Sequence, residues 1–367
     1  MGAGPAGALL ATLLAGDGVG VTVVDRARFP RWTVCGACLS GTGVGVLREE
    51  GLDHLLQENG AVPLTRLEIR GWGRDAVLPV TGGRALSRAV LDQALLRAAQ
   101  ARGADVRTGT AARLGPWREG RREVELTGDA GTHRVRARVV VAATGLHPMP
   151  RIGGVDPASR LERTPGSRIG IGAVVGRWSG RGPARGTIRM IASDPGYVGQ
   201  VRQEDGRWVV AGALDPDWVR ERGGPEAAVR AVLAREGIDG DWTVEEGWRG
   251  TPLLTHGRGR VWEDGVFYLG DAAGYVEPFT GEGMGWALLG ARHLRPLVRD
   301  GAGGWTQDLA ERWDRRYRQG VGGRQRTCRR IAWLSRHPRL ARSALALLSR
   351  APWLAAPAIR GVAAPPP

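Results

Sequence analysis

The chain has 367 residues, 42% of them apolar, which is enough for one large or two mid-sized domains with a sizeable core. Three cysteines in a chain of this length exclude a disulfide-stabilised scaffold and indicate a reducing, cytoplasmic compartment. The net charge is +15, every basic residue is an arginine, and no apolar run reaches the ~20 residues of a membrane-spanning helix.

The positive charge is concentrated in the C-terminal part of the sequence. Residues 301–367 carry 13 arginines against Asp308, Glu311 and Asp314, a balance of +10, whereas residues 1–300 carry +5. A nearly neutral body argues against an enzyme whose working face binds nucleic acid, and no DNA-recognition motif accompanies the arginines. We therefore expect no nucleic-acid partner and treat the basic tail as a separate feature.

The first part of the chain alternates between helical and strand-like patterns. Helices are predicted from residue 5 to about 15, over 43–57 and over 84–102. Strands are predicted at 20–25, 66–80 (a short hairpin), 104–114, 121–127, 132–138 and 139–145. Such alternation is typical of an α/β fold built on a parallel sheet.

The pattern changes between 168 and 262, where short β-branched runs separated by turn residues indicate an antiparallel sheet with one helix at about 224–236. A strand (GVFYLGD, 265–271) and a helix (281–299) then return to the first pattern. We predict a Rossmann-like α/β domain in two parts, 1–165 and 263–300, interleaved with an antiparallel-sheet substrate domain, 166–262. A helical C-terminal region, 301–367, completes the chain.

The first motif that carries chemistry is GAGPAG at residues 2–7, a G-x-G-x-x-G formed by Gly2, Gly4 and Gly7. It begins a helix, and 18 residues after Gly7 a buried strand ends at Asp25. Glycines let the backbone approach a pyrophosphate at the helix N-terminus, where free N–H groups favour anions, and the acid accepts ribose hydroxyls. A second match to this glycine pattern, GIGAVVG at 170–176, lies in a strand-like run and begins no helix. Of the two matches, only the one at residues 2–7 therefore indicates dinucleotide binding.

A second constellation, GVFYLGDAAGYVEPFTGEGMGWALLGA, spans residues 265–291. A strand leads to Gly270 and Asp271, and after a proline loop Gly281 and Gly283 begin another helix. This segment resembles the second flavin fingerprint of FAD-dependent oxidoreductases with the p-hydroxybenzoate hydroxylase fold. By that resemblance Asp271 holds the ribitol hydroxyls of FAD, and the backbone N–H groups of residues 280–284 face the flavin pyrimidine edge.

Within that fold the sequence most resembles the geranylgeranyl reductase group. The resemblance rests on DRARFPRWTVCGACLS at 25–40, on Arg88 in SRAVLDQALL and on VVVAATG at 139–145. It covers residues 1–300. It implies FAD-binding roles for Gly2, Gly4, Pro5, Ala6, Gly7, Asp25, Arg26, Arg31, Cys35, Gly36, Arg88, Gly145, Gly270, Asp271, Pro278, Thr280, Gly281, Gly283 and Met284.

The sequence departs from this family in two places. Only Met1 precedes Gly2, where the family has a complete first strand, and we expect a start further upstream. The aromatic-rich substrate segment of archaeal geranylgeranyl reductases is reduced to PGYVGQVRQ at 195–203, so the sequence does not specify geranylgeranyl as the substrate.

Few side chains are candidates for catalysis. Tyr197, Tyr275, Glu277 and His256 are candidate proton donors, because the fold would bring their segments near the flavin. Cys35 and Cys38 form a C-x-x-C. A redox dithiol and half of a zinc site are the alternatives to a packing role there, and we expect no metal.

The sequence thus predicts an FAD-dependent oxidoreductase that reduces or dehydrogenates carbon–carbon bonds of a hydrophobic, prenyl- or polyketide-like substrate. The alternatives are an FAD-dependent monooxygenase acting on an aromatic or enol substrate and, outside the enzymes, a truncated chain unable to hold FAD. The Trp-x-Trp-x-Ile-Pro signature of flavin halogenases is not found. Because no second nucleotide fingerprint is present, we expect NAD(P)H to bind only transiently as electron donor.

The tail allows two interpretations. Residues 333–359 place leucines and alanines at helical spacing, with interleaved arginines and with Trp333 and Trp353 near the ends. Such a helix either packs on the body of the protein or lies on an anionic membrane surface. We therefore expect a cytoplasmic protein, with peripheral attachment to the inner face of the membrane as the alternative.

Overall fold

The computed structural model describes residues 1–152, 161–180, 182–277, 279 and 281–355. The helices are α1 (Pro5–Gly16), α2 (Gly41–Glu49), α3 (His54–Glu58), α4 (Arg88–Ala101), α5 (Pro216–Glu221), α6 (Pro225–Arg235), α7 (Gly283–Gly301), α8 (Gln307–Gln319), α9 (Val321–Ser335) and α10 (Pro338–Arg350), with 3-10 turns at Gly270–Ala273 and Pro352–Ala355. The strands are β1 (Thr22–Asp25), β2 (Cys38–Leu39), β3 (Val62–Pro63), β4 (Arg66–Gly71), β5 (Arg74–Pro79), β6 (Arg84–Ala85), β7 (Asp105–Thr108), β8 (Ala111–Arg118), β9 (Arg121–Gly128), β10 (Gly131–Ala137), β11 (Val140–Ala142), β12 (Leu161–Arg163), β13 (Ile169–Trp178), β14 (Thr187–Ser193), β15 (Gly196–Arg202), β16 (Trp208–Leu214), β17 (Trp242–Leu253), β18 (His256–Arg258), β19 (Trp262–Glu263) and β20 (Val266–Tyr268).

The Rossmann-like part is held together by the first three residues. β1 pairs in parallel with β7, and β11 pairs in parallel with β20. Between these pairs the N–H of Gly2 donates to the Val24 carbonyl at 2.8 Å, and the N–H of Ala143 donates to the Met1 carbonyl at 2.8 Å. Residues 1–3 therefore supply ladder-type hydrogen bonds to the strands on both sides.

Helix α1 lies in the centre of the core. It packs against α4 and α7, and its leucines at 9, 10, 13 and 14 are all buried. A helix that is apolar around its whole circumference has to be enclosed by protein, so α1 fixes how the neighbouring helices stack. Its N-terminus points toward the large cavity described below, which it lines with Gly4, Pro5 and Ala6.

The second domain is a seven-stranded sheet in the order β17-β13-β16-β15-β14-β4-β5. Most neighbours are antiparallel, but β14 and β4 are parallel. The hairpin predicted at 66–80 is β4–β5, and it extends this sheet rather than belonging to the Rossmann-like part. Helix α6 covers one face through Val229 and Val232, which cluster with Val198 and Val210, and the other face borders the cavity.

One predicted helix is divided in the structure. Residues 43–57 form α2 and α3, separated at Gly51, which adopts a positive φ of 69°. The N–H of Leu52 returns to the Leu47 carbonyl at 2.7 Å and closes α2. Glycine takes this left-handed conformation at little cost, and a helix commonly ends there.

The C-terminal region packs on the body of the protein as far as the structure describes it. Trp313 of α8 is fully buried and donates its indole N–H to the Tyr268 carbonyl at 3.1 Å. Helix α10 packs on β5 and β4 and buries Ala341 and Leu345. Within the described residues, no helix combines the length and the apolar character needed to cross a bilayer.

Candidate functional site

A cavity of about 890 Å³ lies where the two predicted fingerprints meet. This volume is in the range of sites that enclose a cofactor or a sizeable ligand. The predicted cofactor-binding residues that line it are Gly2, Gly4, Pro5, Ala6, Asp25, Arg26, Arg31, Cys35, Gly36, Arg88, Gly145, Gly270, Asp271, Gly281, Gly283 and Met284.

One residue of the predicted set is placed differently, and two lie outside the described residues. Gly7 lies behind the cavity wall, where a Cβ atom would collide with the Gly2 carbonyl, so its role is to permit close packing. Pro278 and Thr280 lie outside the described residues. The other predicted cofactor residues come from distant parts of the sequence and converge on one cavity.

Two helix N-termini face this cavity. Gly4 precedes α1 and Glu282 precedes α7, and neither residue makes a side-chain cap. Because the first N–H groups of a helix have no partner within the helix and carry partial positive charge, both ends favour an anionic or electron-rich group. Residues of both first turns, Ala6 and Met284, line the same space.

Asp25 holds the glycine loop in shape. Its Oδ2 accepts the N–H of Ala3 at 2.8 Å and its Oδ1 accepts the N–H of Ala27 at 2.8 Å. Each carboxylate oxygen has a further lone pair, so the predicted ribose contact remains sterically and chemically available. The structural role in tying residue 3 to the end of β1 was not predicted from the sequence.

A buried aspartate organises two of the predicted arginines. Arg88 makes a two-pronged pair with Asp92, with Nε–Oδ1 and Nη2–Oδ2 both at 2.8 Å, and Arg31 Nη2 lies 3.6 Å from Asp92 Oδ2. Burial alone would lower the pKa of Arg88, but its pairing with Asp92 outweighs burial and raises that pKa. A Cβ at Gly4 would lie 3.2 Å from Arg88 Nη2, so this fixed cation adjoins the phosphate-type site at α1.

Asp92 was missed by the sequence reasoning. It is fully buried, four residues after Arg88 on the same face of α4. The R-x-x-x-D spacing in RAVLD was the available signal, because residues at i and i+4 are neighbours on a helix.

Asp271 lies at the second fingerprint, in the 3-10 turn that follows β20. His256 fixes this turn, because its Nε2 lies 2.9 Å from the Asp271 carbonyl and its Nδ1 lies 3.0 Å from the Leu254 carbonyl. Burial raises the pKa of the Asp271 carboxyl to about 6, against the opposing influence of Arg88. The carboxyl borders the cavity and is predominantly ionised at neutral pH, as a hydroxyl-binding acceptor should be.

His256 serves as a clamp in this structure rather than as a proton donor at the cavity. Both ring nitrogens lie within hydrogen-bond distance of carbonyl groups, and a neutral imidazole donates to one of the two. Burial lowers the pKa of His256, although both carbonyls favour the protonated form. Its backbone also exchanges two hydrogen bonds of 2.9 Å with Tyr275.

Glu282 is a buried acid that the sequence reasoning did not single out. Its side chain is 1% exposed, and within the described residues its Oε2 accepts no hydrogen bond. Burial raises the pKa of Glu282 to about 8, although a hydrogen bond from Ser40 and the charge of Arg324 both lower it. The group is therefore mainly neutral at pH 7, directly before the first turn of α7.

The two cysteines of the C-x-x-C both border the cavity. Burial raises the pKa of Cys35 and of Cys38, so both remain thiols at neutral pH, and thiol–disulfide exchange, which needs a thiolate, is not favoured. Among the residues that the structure describes, no group of three histidine, cysteine or acidic side chains could hold a metal ion.

Two of the candidate proton donors, Tyr197 and Tyr275, border the cavity. Burial, reinforced by Glu277, raises the pKa of Tyr197, and burial with nearby Asp271 raises that of Tyr275, in both cases well above the ordinary value. Both phenols therefore keep their protons at neutral pH and can donate an O–H. Tyr197 packs edge-to-face on Phe279, with ring centroids 5.0 Å apart.

Glu277 does not line the cavity. Its Oε1 lies 3.0 Å from Arg168 Nη1, its Oε2 lies 3.2 Å from Arg336 Nη2, and both Arg168 and Glu277 are 1% exposed. Arg168 also donates to Ser335 Oγ at 3.4 Å. This ion-pair cluster joins the segment between β20 and α7, the residue before β13 and the α9–α10 junction, so Glu277 acts as a structural anchor.

The part of the cavity that lies against the seven-stranded sheet is mainly apolar, although Gln200, Arg249 and Thr251 also border it. Its lining there includes Leu64, Leu67, Val80, Ile188, Met190, Gly199, Val201, Ala211, Ala213, Leu254 and Phe279. The cavity thus has a polar part between two helix N-termini and an apolar part under the sheet. The polar part, with its acids, arginines and free helix ends, fits the phosphates and hydroxyls of FAD.

Replacing Asp271 by alanine should weaken FAD binding by about 1–3 kcal/mol, or roughly 5- to 150-fold in Kd, the scale of a lost hydrogen bond to a charged group. Isothermal titration of the apoprotein with FAD measures this. Asp264→Ala, at an exposed position outside the cavity, is the control and should bind FAD as the wild type does. Asp25→Ala should weaken binding similarly and also lower the thermal unfolding midpoint, because Ala3 and Ala27 lose an acceptor. Unchanged FAD affinity in both variants would contradict the placement of the cofactor.

Glu282 predicts a distinctive pH dependence of stability. An unfolded glutamate ionises near its ordinary pKa of 4.5, and the folded one near 8. Between these values the folded state retains a proton that the unfolded state releases, so the free energy of unfolding falls as pH rises through this window and levels off above it. Because one pKa unit corresponds to about 1.4 kcal/mol, the effect should reach a few kcal/mol.

Glu282→Gln should remove this decline, so the variant gains stability relative to the wild type as the pH is raised from about 5 to about 8. Denaturant unfolding at a series of pH values provides the measurement. Glu221→Gln, at an exposed position on α5, is the matched control and should follow the wild-type profile. Identical profiles for Glu282→Gln and the wild type would show that Glu282 is ionised throughout.

Comparison with known proteins agrees with this geometry. Residues 1–153 match the FAD binding domain family. The menaquinone reductase of Mycobacterium tuberculosis is 28% identical over 92% of this chain and 84% of its own length. Digeranylgeranylglycerophospholipid reductase 1 of Methanopyrus kandleri is 27% identical over 87% of this chain and 86% of its own length.

Solved structures share the fold. A flavin-dependent brominase superposes with a TM-score of 0.81 at 16% identity, covering 99% of this chain and 92% of its own. A flavoprotein/dehydrogenase from Cytophaga hutchinsonii superposes with a TM-score of 0.76 at 18% identity, covering 92% and 85%. At these identities the likeness establishes the fold alone. These matches confirm the predicted flavoprotein fold and support FAD as the cofactor of an oxidoreductase, and the chain is similar, at 27–28% identity, to proteins named menaquinone reductase and digeranylgeranylglycerophospholipid reductase.

Proposed function

We propose that the protein reduces carbon–carbon double bonds in a hydrophobic, prenyl-bearing substrate. The observation that carries the proposal is the sheet face that borders the cavity. In the seven-stranded sheet, Ile188 and Met190 of β14, Gly199 of β15, and Ala211 and Ala213 of β16 line the cavity. An apolar chamber of this kind favours a substrate that is hydrocarbon rather than charged where it reacts.

Small residues give the chamber its depth. A Cβ at Gly199 would lie only 3.0 Å from Met190 Sδ, so a larger residue there would narrow the space between β14 and β15. On the neighbouring strand β16, Ala211 and Ala213 also have small side chains, which leave space in the cavity. Leu67 and Val80, from β4 and the end of the β4–β5 hairpin, close the chamber on its other side. A branched isoprenoid unit fits an apolar chamber that is deepened by small side chains.

The chain's own residues supply protons and orientation to the reaction. Bound FAD, once reduced, supplies a hydride equivalent, and a saturated product then requires one proton as well. The protonated phenols of Tyr197 and Tyr275 border the cavity and can donate it. Tyr275 is the better positioned, because His256 fixes its backbone and a Cβ at Gly283, at the start of α7, would lie 3.3 Å from its Oη.

The relatives support the same substrate class. By name, two act as reductases on a menaquinone and on a digeranylgeranylglycerophospholipid. Both names denote molecules with long isoprenoid chains, which agrees with the apolar chamber. We include NAD(P)H in the proposal as a transient electron donor.

The test is turnover without oxygen. Holoprotein is photoreduced under nitrogen with EDTA as the sacrificial electron donor and is then mixed with a geranylgeranyl-bearing glycerolipid that contains no quinone. The product is analysed by mass spectrometry. Reoxidation of the flavin together with a gain of two hydrogens per reduced bond supports the proposal, and the fully saturated lipid should give neither. Bleaching of oxidised holoprotein by NADPH alone tests the donor.

Other outcomes would overturn the reductase. A product that forms only in air and has gained an oxygen atom would establish a monooxygenase, and one that has gained a halogen in the presence of halide would establish a halogenase. Ala211→Phe should block the chamber and reduce turnover at least tenfold while leaving the flavin spectrum intact. Ala234→Phe, on the exposed side of α6, is its control.

A further inference from the structure

Exposed apolar side chains are concentrated in one segment of the protein. Eight large apolar side chains are exposed in the described part of the chain, and five of them lie between residues 333 and 354. These five, which we call the Trp–Leu face, are Trp333, Leu340, Leu347, Trp353 and Leu354. Single exposed apolar residues are ordinary, but a cluster of this kind marks an interaction surface.

Helix α10 shows how this face arises. Ala341 and Leu345 point toward the body and are buried against the β4–β5 hairpin. Leu340 and Leu347, two turns apart on a neighbouring stripe of the helix, are 47% and 55% exposed. The apolar side of α10 is therefore wider than the part of the helix that packs on the hairpin. The apolar residues outside this contact are exposed to solvent. Trp353, in the 3-10 turn that follows α10, is 72% exposed.

The charged side chains of the segment that carries the face are of one sign. Residues 321–355 contain eight arginines and no aspartate or glutamate. The exposed ones include Arg326, Arg329, Arg330, Arg339, Arg342 and Arg350. A surface with this combination of arginine, leucine and tryptophan is complementary to anionic lipid, where arginines meet headgroups and indole rings occupy the interface.

The face also adjoins the wall of the chamber. Helix α10 packs on β4 and β5, and Leu67 of β4 and Pro79 of β5 line the cavity. The same hairpin thus separates the Trp–Leu face from the apolar chamber. A substrate with a long hydrocarbon chain would have only a thin layer of protein between the membrane and the cavity.

We infer that the Trp–Leu face and its surrounding arginines dock the protein on an anionic lipid bilayer. The segment is anchored to the body through Arg336, which pairs with Glu277 at 3.2 Å, so the face is a fixed part of the surface and not a loose tail. Binding needs no turnover, and this inference can therefore fail or succeed independently of the proposed reaction.

The experiment measures co-sedimentation of the full-length holoprotein with vesicles. Binding to mixed phosphatidylglycerol–phosphatidylcholine vesicles is expected, with little or none to phosphatidylcholine alone. Raising the ionic strength from about 0.1 M to about 1 M should release the protein, because the screening length falls from ~10 Å to ~3 Å. Equal binding to both vesicle types, or binding that ignores salt, would overturn the inference.

Two sets of substitutions locate the surface. The combined variant Leu340→Ser/Leu347→Ser/Trp353→Ser should lose binding at least tenfold, and Arg339→Gln/Arg342→Gln/Arg350→Gln should lose roughly 100-fold, since each arginine near an anionic surface contributes about fivefold. The control Val135→Ser/Val244→Ser removes exposed apolar side chains elsewhere and should bind as the wild type does. These changes avoid Ser335 and Arg336, whose loss would disturb the buried ion pairs.

The variants must retain the flavin spectrum and thermal midpoint of the wild type to be compared. Unchanged vesicle binding by the serine variant would contradict the proposal. A second contradicting outcome would be seen by light scattering. If the wild type is a dimer, the serine variant is a monomer and neither protein binds vesicles, the face joins two copies of the chain.

Discussion

The cavity depends on a close approach of backbones that glycine alone permits. A Cβ on Gly2 would collide with the Ala143 carbonyl, and a Cβ on Gly7 would collide with the Gly2 carbonyl. Without side chains at these points, residues 1–3 reach the strands on both sides, and the N-terminus of α1 lies directly at the end of the sheet. Asp25 then completes the arrangement by accepting the N–H of Ala3. Backbone packing therefore brings the free N–H groups of α1 to the cavity, and the Arg88 guanidinium adjoins them.

A second constraint connects the flavin fingerprint to the C-terminal region. Glu277 lies in the segment that leads to α7, Arg168 at the start of β13, and Arg336 between α9 and α10. Removing one partner of a buried ion pair leaves an uncompensated charge, which typically costs about 3–5 kcal/mol. The C-terminal helices are thus held by these ion pairs to the segment that leads to α7.

Much of the polar half of the site could be predicted because its signals are local. Gly2, Gly4 and Asp25 lie within one βα unit, and Asp271 and Gly283 lie within another, so spacing along the chain translates directly into position. The remaining features depend on contacts between distant segments. The parallel pairing of Leu67 with Ile188 makes the hairpin a wall of the chamber. Neither strand carries a sequence signal that predicts this pairing. Glu277 was a candidate proton donor near the flavin because it lies within the second fingerprint in the sequence. Its ion pairs with Arg168 and Arg336 come from distant segments and could not be predicted.

We propose that the cavity between the two helix N-termini, which Asp25 and Asp271 both line, holds an extended FAD with its adenosine end at Asp25 and its ribityl chain at Asp271. Calorimetric titration of the apoprotein with FAD and, separately, with FMN tests it most directly, since FMN has the flavin and ribityl groups but lacks the adenosine end. The account predicts one FAD per chain and at least tenfold weaker binding of FMN, because the contacts at Asp25 and the α1 N-terminus are lost. Equal affinity for both, or no binding of FAD, would contradict it.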